Sequence, residues 1–365
     1  MQVMFVDDES RVLSGIERAL MMQDTEWECR FANSGQEALA MLEEQPADVV
    51  VSDMRMPFMD GAELLTQVRN RWPGTIRIIL SGYSEPDATL RMLDVAHRFV
   101  SKPCDSTVLL DMVGSALALR DMFQDPTVVE IVGGTSRLPA APKVLTEVCG
   151  LIANPGSDTR HIAELLGRDP ALSTKIMQLA NSAYFARGGH INDIGNAITH
   201  LGLDQVKLLV LASQVFADAK TDPYVDRLQQ RALLASTLAA RISGHQGVEA
   251  TAALLANIAR LIPELREPDG EVATTRCNTP MHAAVGAYLL ALWGLPMDIV
   301  EAVACHMQPS RSTEKVFGVI GTVHVAVTLA NNGVLDLDYL EQTGVLNKLP
   351  QWQEMLAHTQ ETLND

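Results

Sequence analysis

The sequence predicts two fold classes in series: α/β, with a five-stranded parallel (βα)5 sheet, and then an all-α part. Three observations lead there. Up to about Asp125, short apolar runs alternate with amphipathic stretches; after Asp125 and Pro126 the strand signal stops; and from there Ala- and Leu-rich segments carry apolar residues at helical spacing. A length of 365 residues suits two or three domains, and 47% hydrophobic with 20% charged residues is a globular composition.

The first part reads in order as strand Val3–Val6 and helix Arg11–Met22, strand Trp27–Phe31 and helix Gly35–Glu44, strand Asp48–Val51 and helix Ala62–Val68. Strand Ile76–Leu80 with helix Ala88–Ala96, and strand Phe99–Val100 with helix Val108–Phe123, complete it. Strands that are each followed by a helix predict a parallel sheet. The second part offers helices at Lys175–Ala180, Val206–Phe216, Leu228–Ile242, Ala283–Trp293 and Ile299–His306. The stretch 220–223 reads as a break between two helical lobes and 267–270 as a surface turn. Domains are therefore expected at 1–125 and 126–335, with a helical extension at 336–365.

Composition excludes several function classes. Lys and Arg number 28 against 45 Asp and Glu, a net charge of −17 that repels phosphate backbones and anionic lipid. The densest local cationic stretch is only Arg69 and Arg71, so neither nucleic acid nor membrane is an expected partner. The 5 cysteines are widely spaced and form no CxxC, which suits thiols in a reducing compartment. With no signal-like or membrane-spanning apolar stretch, a cytoplasmic location is expected.

Ligands of a parallel sheet sit at the carboxyl ends of its strands. Those ends carry Asp7 and Asp8, then Asp53, then Ser81, then Lys102. Carboxylates gathered in one crevice repel one another, and a hard divalent cation such as Mg²⁺ is the usual remedy. An ammonium at Lys102 and a hydroxyl at Ser81 are the groups needed to hold oxygens of a phosphoryl group once it is attached to a carboxylate, which makes Asp53 the acceptor. Each Asp taken alone also reads as a helix cap or turn residue.

The stretches VMFVDDES (3–10), VVVSDMRMPFMDG (49–61), IILSG (78–82) and FVSKP (99–103) resemble the response-regulator receiver domain over roughly residues 2–125. The resemblance implies phosphorylation of Asp53 by a sensor histidine kinase or a phosphotransfer protein. It implies Mg²⁺ held by Asp8, Asp53 and the backbone carbonyl of Arg55, with Asp7 acting through water. It also implies that Ser81 moves toward the phosphoryl group and that Phe99 rotates inward behind it. Pro57 and Gly61 complete the loop pattern. Arg55 departs from the shorter polar residue common in the family, and Phe99 lacks the hydroxyl of the usual tyrosine. A homodimer through this domain is a further implication.

The helical part carries LPAAP (138–142), RDPAL (168–172), LANSA (179–183) and AITHLG (197–202), then HAAVGAYLLALWGLP (282–296) and His306. In this order they resemble the HDOD domain, a helical module related to the HD metal-dependent phosphohydrolases, over about 130–330. Those relatives hold two metals with His and Asp ligands that activate water. Here no histidine is followed by Asp; LLANIA (254–259) stands where such enzymes read LLHDIG, and HVAV (324–327) stands where a ligand Asp is expected. His282, His306 and His324 remain. They read either as a remnant three-nitrogen zinc site or, lacking carboxylate partners, as packing histidines that bind no metal, the favoured reading.

The expected function is a phosphorylation-controlled signalling protein whose helical output part binds an unidentified downstream protein without hydrolysis or a cofactor of its own. The alternative is a metal-dependent cyclic-di-GMP phosphodiesterase with an atypical ligand set. A helix-turn-helix at Asp158–Asn181 is a third reading, disfavoured by its balanced charges.

Overall fold

The computed structural model describes residues 1–22, 26–81, 95–102, 104–123, 125–135, 159–167, 169–181, 191–202, 206, 222–244, 247–266, 273–276, 278–312 and 316–364. The chain divides into two compact units. The first comprises the described residues up to Thr135 with Leu292–Gly294; the second takes the remaining described residues.

The first unit is built on β1 (Gln2–Val6), β2 (Glu28–Ala32), β3 (Val49–Asp53), β4 (Ile76–Ser81) and β5 (Arg98–Ser101), joined in the order β2-β1-β3-β4-β5. All pairings are parallel, with Val6 beside Ser52, Asp53 beside Leu80 and Ser81 beside Ser101. β1, β3 and β4 are aliphatic and buried almost throughout, as strands covered by helices on both faces must be. The covering helices are α1 (Ser10–Met22), α2 (Gly35–Glu44), α3 (Gly61–Arg71) and α4 (Ser106–Met122). The helix expected at Ala88–Ala96 lies almost wholly outside the described residues. Caps set the helix starts: Ser34 accepts from Glu37 N–H, Asp60 from Glu63 N–H and Asp105 from Thr107 N–H.

The boundary expected after Asp125 falls later. Helix α5 (Pro126–Gly134), capped by Asp125, belongs to the first unit. It buries Val128 and Val132, and Gly133 lies so close to the Pro73 carbonyl that an added Cβ would stand 1.5 Å from that oxygen. Apolar pattern alone cannot show which neighbour a helix covers, so the Asp-Pro that starts α5 resembles a domain break.

The second unit is helical: α6 (Thr159–Leu166), α7 (Pro170–Ala180), α8 (Ile194–Leu201), α9 (Pro223–Ser243), α10 (Val248–Leu255), α11 (Met281–Leu292), α12 (Met297–Cys305), α13 (Val319–Ala330), α14 (Leu337–Gln342) and α15 (Leu349–Asn364). Among the described residues its strand-like pairing is a single bridge, Thr274 with Pro280. α9 is the axis against which α10, α13 and α15 pack. α13 is buried from Ile320 to Thr328, a helix apolar all round because it is enclosed all round.

Residues 336–364 are no separate appendage: Trp352 of α15 stacks on Phe317, ring centroids 5.2 Å apart, in a cluster with Val325, Tyr339 and Leu340. Capped by Asp222, α9 starts at the expected 220–223 break, whereas Val206–Phe216 (apart from residue 206) and the turn at 267–270 fall outside the described residues. Among the described residues no helix is long and apolar enough to cross a membrane.

Candidate functional site

The carboxyl ends of β1, β3, β4 and β5 bring Asp7, Asp53, Ser81 and Lys102 together. Lys102 is the hub: its Nζ lies 2.7 Å from Asp7 Oδ2 and 2.6 Å from Asp53 Oδ1. Asp7 is 1% exposed and Asp53 7%. Each carboxylate has a second partner from the backbone, Glu9 N–H to Asp7 Oδ1 at 2.9 Å and Arg55 N–H to Asp53 Oδ2 at 3.0 Å. Lys102 N–H donates to the Ser81 carbonyl at 2.7 Å, so the two residues are tied across the β4–β5 edge.

The loop after β3 is drawn tightly under the site. Gly61 N–H donates to the Met54 carbonyl, and a Cβ on Gly61 would stand 2.1 Å from the Asp53 carbonyl oxygen. Only glycine permits that approach, which is the physical content of the motif's final residue.

Burial pushes the Asp53 carboxyl above its ordinary pKa; Lys102 opposes this and the Asp7 charge adds to it. Burial alone would depress the Lys102 ammonium, but its hydrogen bonds and charge pairing with Asp53 and Asp7 prevail and raise it. The site thus holds a buried carboxylate with more negative charge around it than one ammonium neutralises, and a cation firmly protonated at neutral pH.

Asp8, next in sequence to the buried Asp7, is exposed. Among the described residues no group of three or more His, Cys, Asp or Glu side chains is arranged to hold a metal ion. Phe99 lies in β5 opposite Ile79, its side chain outside the described set. Sequence pattern gave no sign of Phe58, which the structure places at φ 69° with its side chain 95% exposed in the loop after Asp53. Nor did it reveal Arg77. This fully buried cation donates from Nε to the Val95 carbonyl at 2.6 Å, and its backbone N–H donates to His97 Nδ1.

In the second unit His282, His306 and His324 are all buried. His282 and His306 meet edge-on, centroids 5.7 Å apart. His324 is fully engaged: Nδ1 donates to the His306 carbonyl at 2.7 Å, and Nε2 accepts Asp336 N–H at 3.0 Å. A three-nitrogen zinc site would have to draw one of those nitrogens away from its backbone partner. His306 donates from Nδ1 to the Val303 carbonyl, and burial, with His282 beside it, pushes its pKa down to about 3. Against the helix-turn-helix reading, α7, its second helix, is buried at the described residues Ala171–Thr174 and Ile176–Gln178, where a recognition helix needs an open face.

Family models match twice, as a response regulator receiver domain at residues 3–114 and as an HDOD domain at 138–309. Among curated relatives, the hydrogenase transcriptional regulatory protein HoxA of Cupriavidus necator is 29% identical over 191 residues, 49% of this chain and 39% of the relative. The DNA-binding transcriptional regulator NtrC of Salmonella typhimurium is 32% identical over 151 residues, 41% of this chain and 32% of its own length. The chain therefore spans less than half the length of these relatives. Among solved structures, the MmoQ response regulator of Methylococcus capsulatus is 20% identical, covering 60% of this chain and 98% of its own, with a TM-score of 0.48. The two family matches meet the two units in sequence order, and the start of the second match at residue 138 coincides with the start of the helical unit. The chain therefore joins an N-terminal response regulator receiver domain to a C-terminal HDOD domain.

Proposed function

We propose that this chain is a phosphorylation-controlled signalling protein in which Asp53 accepts a phosphoryl group and the HDOD domain passes the signal on by binding another protein. The observation that carries the reading is the Asp7–Lys102–Asp53 bridge: a buried carboxylate aimed at a fixed ammonium, at the strand ends where a ligand enters. A sensor histidine kinase or phosphotransfer protein would be the donor. An Asp53 carboxylate oxygen attacks phosphorus, the P–N bond to the donor imidazole breaks, and the imidazole leaves with its electron pair and takes up a proton. Lys102 then neutralises one phosphoryl oxygen, and the Ser81 hydroxyl donates to another as Phe99 repacks behind it.

The proposed Mg²⁺ site uses the side chains of Asp8 and Asp53 and the backbone carbonyl of Arg55, with Asp7 reached through water. Two carboxylates plus waters and phosphate suit that ion, so a three-side-chain cluster is not required. Asp7 and Asp53 share a single ammonium, and the negative charge left over where they meet supports the fit. When bound, the ion would supply charge neutralisation for the transferring oxygens.

For the helical domain, buried Ala256 and neighbouring Asn257 stand where an HD enzyme needs an imidazole and a carboxylate, and His324 is committed to backbone groups. These features support an output by protein contact, with no hydrolysis and no cofactor there, over phosphodiesterase activity. Cytoplasmic location, a homodimer through the receiver and an unidentified downstream protein complete the proposal. The test is labelling by radioactive acetyl phosphate with Mg²⁺. Wild type should label and Asp53→Asn should not; label on the variant moves the acceptor elsewhere. Metal analysis with a cyclic-di-GMP hydrolysis assay decides the second domain, where turnover would overturn the binding-only reading.

A further inference from the structure

We propose that Phe58 is the docking residue for the phosphoryl-donating protein, its ring seating in an apolar depression beside the donor's phosphorylated histidine. The inference rests on Asp53 being the acceptor. Phe58 is 95% exposed, and its backbone sits at φ 69°. The other described non-glycine residues at positive φ are Asn278 and Asn332, a residue type that tolerates this region; a phenylalanine is the outlier.

The loop around it is not loose. Met59 N–H donates to the Pro57 carbonyl at 2.8 Å, Gly61 N–H to the Met54 carbonyl at 2.9 Å, and Asp60 caps α3. Met56 is buried, and Met59 packs against Gly35, so the flanking apolar side chains turn inward while Phe58 is held out. Within its own unit, the strained backbone and the hydrated ring stabilise nothing. Strain kept at a residue beside a reacting group points to a partner that uses it.

Position identifies that partner. Phe58 lies three residues from Arg55, whose N–H holds the Asp53 carboxylate, so at about 3.6 Å per residue their Cα atoms are within about 11 Å. A protein bringing a phosphoimidazole into bonding distance of Asp53 must lay its surface over this rim. An exposed aromatic at the centre of such a contact is the residue type that carries binding energy. A small donor such as acetyl phosphate has no surface to reach it.

The test compares Phe58→Asn, which keeps the left-handed backbone and removes the ring, with Phe58→Tyr, which keeps both. Full-length proteins receive label from autophosphorylated histidine kinases purified from the host, the fastest donor being carried forward, and separately from acetyl phosphate. Phe58→Asn should raise the kinase KM about tenfold or more, leave kcat within about twofold and leave acetyl phosphate labelling unchanged; Phe58→Tyr should retain the wild-type KM. An unchanged KM in Phe58→Asn overturns the proposal, as does an equal loss with acetyl phosphate, or wild type that labels from acetyl phosphate but from no kinase. Wild type that acetyl phosphate does not label removes the acceptor reading, and the docking inference with it.

Discussion

Replacing Lys102 with methionine keeps the length of the side chain and removes the charge that holds two carboxylates together. Asp7 and Asp53 then face each other with side chains 2% and 10% exposed and no ammonium within 3 Å of both. Breaking a buried pair by removing one partner costs about 3–5 kcal/mol, chiefly from the uncompensated charge left behind. The Lys102 side chain is itself 28% exposed, which places the loss near the lower end, about 3 kcal/mol. For a unit of this size that lowers the melting temperature by about 10 °C.

The sign with pH is specific. The Lys102 pKa is raised, so its contribution is fully present below the unfolded value near 10.4 and is lost only as pH climbs through the folded one. At pH 7 the wild type has all of it. In Lys102→Met, protonating Asp53 removes the repulsion, so the deficit should shrink as pH falls from 7 toward 4. Scanning calorimetry of the first unit's transition in EDTA at both pH values reads this directly. A variant as stable as wild type at pH 7, or a deficit unchanged between the two, would refute the electrostatic account.

Asp53→Asn should raise the melting temperature at pH 7 in EDTA, because an acid with a raised folded pKa loses stability as pH rises through that pKa; the gain should fade on acidification, and a lowered melting temperature at pH 7 contradicts it. Gly133→Ala forces a methyl into the Pro73 carbonyl, and overpacking of this kind costs about 1–3 kcal/mol; hydrogen exchange at Val128 and Val132 should quicken, while unchanged protection there counts against the packing of α5. The His306 pKa is pushed down to about 3, so the helical unit should lose stability as pH falls from about 6.5, by about 1.4 kcal/mol per unit for this one proton. His306→Leu should flatten that slope, as read by urea titration at several pH values; an undiminished slope would place the titrating group elsewhere.

Sequence pattern reaches the sheet and its strand-end residues because both follow from local rules: short β-branched and aliphatic runs such as Val49–Val51 and Ile78–Leu80, each followed by an amphipathic stretch, read as strands of a covered sheet, and ligands sit at the carboxyl ends of such strands. It does not reach α5, because Val128 and Val132 show that the helix covers something without showing what. It also leaves His324 ambiguous. From sequence the same histidine reads as a metal ligand or as a packing residue, and only three-dimensional placement brings it between the His306 carbonyl and the Asp336 amide. Phe58 is invisible for a different reason: its backbone angle and exposure are set by the hydrogen bonds of the turn, not by the identity of the side chain.

The geometry also says how a charge added at Asp53, on the proposed reading, would spread. Lys102 has three N–H donors, and Asp7 and Asp53 occupy two directions. A phosphoryl group competes for that ammonium, while Asp7, fixed by Glu9 N–H, keeps its share. The shift draws on a backbone already tied to Ser81 through the Lys102 amide, so the ends of β4 and β5 respond as one edge. At the other end of the same strand pair, buried Arg77 of β4 donates from Nε to the Val95 carbonyl and from its backbone N–H to the His97 ring, both ahead of β5. That end is braced by a side chain with no room to swing, so displacement at the phosphoryl end cannot be absorbed by sliding β5 along β4. On the proposed reading it goes into that edge, where the Phe99 backbone stands in register with Ile79.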